Sequence, residues 1–191
     1  MVDFVYAYAL IPYRFLTLFP REPFELITPI TAMFLHGGWG HILMNMLFLH
    51  IFGDNVEDTL GRFRFLVFYL LCGGLSFGAQ ILFQPHSMVP NLGASGAIAG
   101  VLGAYFLLFP RARVVTLVPL FLFFPVVEIP AFIFLGLWFV LQFISGAMTV
   151  GRTDSLAGGV AWWAHVGGFV AGVICLQFLK PRDGARPARI V

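Results

Sequence analysis

Charge is what this chain has least of. Asp and Glu number 9 and Lys and Arg 11 among 191 residues, 10% in all, where a soluble domain carries about 25%. Apolar types make up 60%, with 23 Phe, and mean hydropathy is +0.92. A soluble core of this size cannot hide so much apolar surface, so the bilayer must act as solvent. The formal charge of +2, without a basic run interleaved with aromatics, argues against a nucleic-acid partner. Cysteine is scarce too. Cys72 and Cys175 lie in apolar runs and are spaced neither as a metal site nor as a CxxC pair, so they read as small core residues without a disulfide. No HExxH occurs, which excludes the membrane zinc proteases. Asp54 in "FGDN" has no second intramembrane aspartate to form an acid dyad, and "GASGA" is not the G-x-S-x-G elbow of soluble hydrolases, its second glycine coming one position early. His36, His41 and His165 have no carboxylate or cysteine companion, so neither a metal nor a cofactor is expected. The first apolar stretch, "FVYAYALIPYRF", is broken by Pro12 and Arg14 and lacks a basic region before it, unlike a cleavable signal peptide.

What is present reads as a single all-α, polytopic membrane helical bundle over 1–191. Residues 1–38, with Pro12, Pro20, Pro23 and Pro29 and the ending "HGG", form an interfacial segment of short helices. A bundle over 39–179 follows, with about five spans. The first runs from Trp39 to about Val56, stopped by Asp54, Asn55, Glu57, Asp58 and Gly61; the second from Phe63 to Phe83; the third, short, from Ser95 to Phe109. Pro119 and Pro125 divide residues 114–127, which suggests an interfacial or re-entrant connection. Pro130 suits the first turn of a fourth helix to Met148, with Glu128 at its start favoured by the helix dipole. The fifth runs from Ala157 to Leu179, followed by a basic tail, 180–191. Of the 11 basic residues, only Arg14, Arg21 and Arg152 fall on one side. That side is therefore the outer one, and the C-terminus is cytoplasmic.

Polar side chains in lipid need partners. His41 and Asn45 are four residues apart and share a helix face. Ser95 opens its helix just after Gly93, where the first-turn N–H groups have no intrahelical acceptor. "GAIAG" (Gly96, Gly100) and "GFVAG" (Gly168, Gly172) are small-xxx-small patterns that let two helix backbones approach closely. Packed together, they set Ser95 and His165 at matching heights, the minimal pair for nucleophilic catalysis. A serine at such a helix start can equally be an N-cap, and a membrane histidine interhelical glue. His36, His50 and His86 lack supporting neighbours and read as structural or solvated.

The chain resembles the rhomboid intramembrane serine proteases over nearly its whole length. "GASGAIAGVLGAY" resembles the family's nucleophile motif, "MFLHGGWGHILMNMLFLHIFGDNVEDTLGRFRFLVFYL" its first loop and second helix, and "AWWAHVGGFVAG" its histidine helix. The resemblance implies that Ser95 is the nucleophile and His165 the base of a dyad without an acidic third member. The Ser95 N–H, His41 and Asn45 would form the oxyanion hole, and Gly93 the turn into the nucleophile helix. It further implies a transmembrane segment of another protein as substrate, cut near the outer face; helix 129–148 as a lateral gate; and the loop "GRTDSLAGGVAWWA" as a cap. A bacterial cytoplasmic membrane is the expected location. The family has six helices, and "ALIPYRF" resembles the stretch just after its first, so that helix would lie ahead of residue 1. The competing classes are a rhomboid-like protein that binds transmembrane clients without cutting, against which the presence of both Ser95 and His165 speaks, and a small transporter, for which no inverted repeat is evident.

Overall fold

The computed structural model describes residues 2–19, 21–118, 122–150 and 160–181. The N-terminal segment folds as short helices: α1 (Val2–Tyr8), α2 (Pro12–Leu18), a 3-10 turn (Pro23–Ile27) and α3 (Thr28–Met33). Three of these four begin with proline in the first turn, where its missing N–H is no loss. Arg14 holds the segment together, pairing with the buried Glu25 at 2.9 Å and donating to the Ala9 carbonyl at 2.9 Å and to that of Tyr6.

Five longer helices among the described residues form the bundle: α4 (Trp39–Leu60), α5 (Arg62–Phe83), α6 (Ser95–Leu108), α7 (Ala131–Ala147) and α8 (Trp162–Leu179). Among the described residues, α5 and α8 are long and apolar enough to cross a membrane, while α6 and α7 are apolar but shorter. At 14 residues, α6 is only about 21 Å long, less than the hydrocarbon thickness of about 30 Å. It can be short because it is the central helix: Gly96 to Tyr105 are all buried, so protein rather than lipid surrounds it. Phe52 and Val56 of α4, Phe68 of α5, Val101 and Leu102 of α6 and Leu135 of α7 form the core around it. Large apolar side chains such as Leu43, Phe63, Leu82 and Phe178 face outward, the reverse of a soluble bundle.

Glycine sets the closest approaches. A Cβ on Gly168 would strike the carbonyl of Gly96, and one on Gly172 that of Gly100. The two small-residue pairs therefore do meet, but not face to face as their spacing suggested. Gly96 and Gly100 turn their bare Cα atoms toward α5, where a Cβ would meet Ser76 and Cys72. A third position, Gly103, lies against the Phe169 carbonyl. The central helix thus has small residues toward two neighbours, and both close on it.

Four expectations are corrected. The first long helix runs to Leu60, past the polar cluster, because Val56 and Leu60 are buried on its inner face while Asp54 is exposed. It stops at Gly61, whose φ of 79° suits glycine. The connection after α6 is an antiparallel ribbon, β1 (Arg113–Leu117) paired with β2 (Val126–Pro130), so the described chain is not wholly α. The runs "RVVTL" and "VVEIP" are β-branched enough to account for it. Among the described residues no third strand pairs with either edge, so the ribbon suits an interface better than hydrocarbon. Glu128 lies in β2, 3.1 Å from Arg113, rather than at a helix N-terminus. Finally, Val160 and Ala161 are not helical, so α8 starts at Trp162 and takes the last three residues of the stretch 151–164 expected as a cap; residues 151–159 of that stretch and the tail beyond Pro181 lie outside the described residues.

Candidate active site

The site is built around the turn into α6. Leu10 and Asn91 exchange backbone hydrogen bonds (3.0 and 2.7 Å), and Gly93 N–H donates to the Ala32 carbonyl at 2.8 Å. The N-terminal segment thus clasps the chain just before Ser95. Gly93 has a φ of 115°, accessible to glycine alone at no cost. A side chain there would also meet the His41 ring at 2.7 Å and Asn45 Nδ2 at 3.7 Å.

Ser95 is not an N-cap; Ala94 takes that place, without a side-chain cap. The Ser95 hydroxyl instead lies 2.9 Å from Nε2 of His165, in the first turn of α8. Nδ1 of the same ring lies 2.7 Å from Oε1 of Gln142, on α7. Trp138, one turn before Gln142, packs its ring 5.9 Å from that of His165. The start of α8 is held separately: buried Gln80 of α5 accepts the Ala164 N–H at 3.1 Å.

His41 and Asn45 reach the same turn from α4. Gly37 N–H donates to His41 Nδ1 at 3.3 Å; the neutral ring then carries its proton on Nε2, the atom facing Gly93. Asn45 is buried, and its Nδ2 has no hydrogen-bond partner among the described residues. Buried polar groups are ordinarily satisfied, so a spare donor here stands out. His36 stacks edge-on to His41 at 5.2 Å, and burial first, then the neighbouring His41, lowers its pKa from 6.5.

Asn45, Ser95, Trp138 and His165, with Met44, Phe48, Ile98, Ala99 and Leu102, line a mostly apolar cavity of about 160 Å³. A larger cavity of about 580 Å³ between α3, α4 and α5, with His36 toward one end and Glu57 and Arg62 toward the other, holds neither Ser95 nor His165.

The structure therefore brings together Ser95, His165, His41, Asn45 and Gly93 as the sequence suggested. Gln142, Gln80 and Asn91 were missed. The signal for Gln142 and Gln80 was available, a lone amide in each apolar run, "LWFVLQFISG" and "SFGAQILF". Nothing local marks Asn91, whose role depends on the chain folding back from Leu10.

Residues 23–182 match the family model of the rhomboid domain. The chain belongs to the rhomboid family. Rhomboid protein 1, mitochondrial, of Saccharomyces cerevisiae is 34% identical over 152 residues, 78% of this chain and 40% of its own length. Rhomboid protease GluP of Bacillus subtilis is 43% identical over 83 residues, 44% of this chain and 15% of its own. RHOMBOID-like protein 6, mitochondrial, of Arabidopsis thaliana is 44% identical over 78 residues, 39% of this chain and 24% of its own. The chain thus spans less than half the length of these rhomboid relatives. Membership makes it a multi-pass membrane protein; since two of the three relatives are named mitochondrial, they lend no support to a specifically bacterial membrane.

Proposed function

We propose that this rhomboid is an intramembrane serine endopeptidase that cuts transmembrane segments of other proteins near the outer face of the bilayer. The observation that carries the reading is the 2.9 Å contact between Ser95 Oγ and His165 Nε2 at an apolar cavity. In such a site the imidazole removes the hydroxyl proton as Oγ attacks the scissile carbonyl carbon. The carbonyl oxygen becomes an oxyanion, for which the Ser95 N–H, His41 Nε2–H and the spare Asn45 Nδ2 serve as the three donors. The His165 proton passes to the leaving amine as the C–N bond breaks. Water, deprotonated by the same ring, then attacks the acyl carbon; the acyl–Oγ bond breaks, the ring returns its proton to Oγ, and Ser95 is restored.

A peptide bond within an intact helix is shielded and already hydrogen-bonded, so the segment must unwind to reach Ser95. Helices α4 to α8 act as five spans, with the basic ends at Arg62, Arg64, Arg111 and Arg113 cytoplasmic. The α6 N-terminus then lies toward the outer face. The test is incubation of the purified protein in liposomes with a model transmembrane substrate. The wild type should cleave it, and Ser95→Ala and His165→Ala should not. Equal cleavage by Ser95→Ala would refute the mechanism, while absence of cleavage by every form would favour a client-binding rhomboid-like protein.

A further inference from the structure

Resting on the protease reading, we infer that Gln142 is a third, neutral member of the site: a positioning residue that fixes which nitrogen of His165 carries the proton. Gln142 sits in the apolar helix α7, "AFIFLGLWFVLQFISGA", and is buried. A buried amide among apolar side chains is costly unless hydrogen-bonded, and its Oε1 lies 2.7 Å from His165 Nδ1. An amide oxygen only accepts, so the proton of the neutral ring is on Nδ1. Nε2 is then left with its lone pair toward Ser95 Oγ at 2.9 Å, the orientation a base requires. In the other tautomer Nε2–H would donate to Ser95, and the ring could take no proton from it. Trp138, four residues earlier on the same face, holds the ring 5.9 Å away from its own centre. Together the two side chains of α7 bracket the imidazole in position and in tautomer. When the ring takes the Ser95 proton, Oε1 also faces the Nδ1–H of the resulting cation and stabilises it without adding a buried charge.

Two experiments bear on this. The first needs neither substrate nor turnover: ¹⁵N NMR of histidine-labelled protein, with His165 assigned by comparison with His165→Gln. A pyrrole-type Nδ1 and pyridine-type Nε2 are expected, changing toward the other tautomer in Gln142→Leu. A proton on Nε2 in the unmutated chain would overturn the inference. In the second, liposome cleavage by Gln142→Leu should lose roughly 10- to 100-fold in kcat with KM within about twofold, less than the roughly 10⁴-fold cost of a wrong tautomer in a serine protease with an ionised partner. Gln142→Glu should recover most of that rate and move the acid limb of the pH profile upward, because a carboxylate favours the charged ring. A wild-type rate in Gln142→Leu, or a loss that Gln142→Glu does not recover, would overturn it. Ser95→Ala run in parallel tests the protease reading itself, while the NMR readout bears on Gln142 alone.

Discussion

The contact between α6 and α8 makes the separation of Ser95 and His165 a question of one methyl group. Gly168 lies three residues after His165, and a Cβ there would run into the carbonyl of Gly96, next to Ser95. Backbone cannot swing aside as a side chain can, so in Gly168→Ala the helices must part by about 1 Å. Overpacking of this kind costs about 1–3 kcal/mol, and a misplacement of about 1 Å can cost roughly 10²-fold in rate. The Ser95–His165 contact of 2.9 Å would lengthen beyond hydrogen-bond range. Purified Gly168→Ala should therefore melt several degrees lower in detergent and lose about 10²-fold in kcat. Gly74→Ala is the control: it adds the same methyl to α5 where no atom of the described residues lies within 4 Å, and it should match the wild type in rate and be no less stable. A Gly168→Ala protein with wild-type kcat and Tm would refute the claim that this packing sets the geometry of the site.

Asn45→Ala, which removes the spare Nδ2 donor, should lower kcat by about 10- to 10³-fold with little change in KM; a change confined to KM would contradict its role. Gly93→Ala combines a φ of 115° with a collision against His41, and the liposome assay should show a loss at least as large as that of His41→Ala. His36 has its pKa lowered by burial and by His41, so folding favours its neutral form. The stability it contributes is present above pH 6.5 and lost as pH falls through its folded pKa. A His36→Phe variant should flatten that part of a Tm-against-pH curve. Arg113 and Glu128 are largely exposed, so Glu128→Gln should shift stability by no more than about 1 kcal/mol in a denaturation assay.

The chemistry of the site was more legible than the boundaries of the fold. Ser95, His165, His41 and Asn45 are polar groups where lipid penalises polarity, and the four-residue separation of His41 and Asn45 puts those two on one helix face. The charged cluster after Val56 looks like a helix stop in sequence, yet only one face of that turn of α4 is polar and Leu60 on the other face is buried. Likewise, Pro119 and Pro125 argue locally against regular structure, while the β-branched runs on either side favour strands once they pair. Gln142 is locally one amide in a hydrophobic helix; its meaning depends on α7 lying beside α8, a tertiary fact that no local pattern encodes. The direction of Gly96 and Gly100 toward α5 is of the same kind, since spacing identifies a small face but not the helix that fills it.

The central claim is that Ser95 is a nucleophile activated by His165. Intact-protein and peptide mass spectrometry after exposure to a fluorophosphonate tests it directly, because the reagent forms a stable adduct with an activated serine. The account predicts one adduct, mapped to Ser95 and lost in both Ser95→Ala and His165→Ala. An adduct that survives in Ser95→Ala, or substrate cleavage that persists undiminished once Ser95 is fully modified by the reagent, would contradict it.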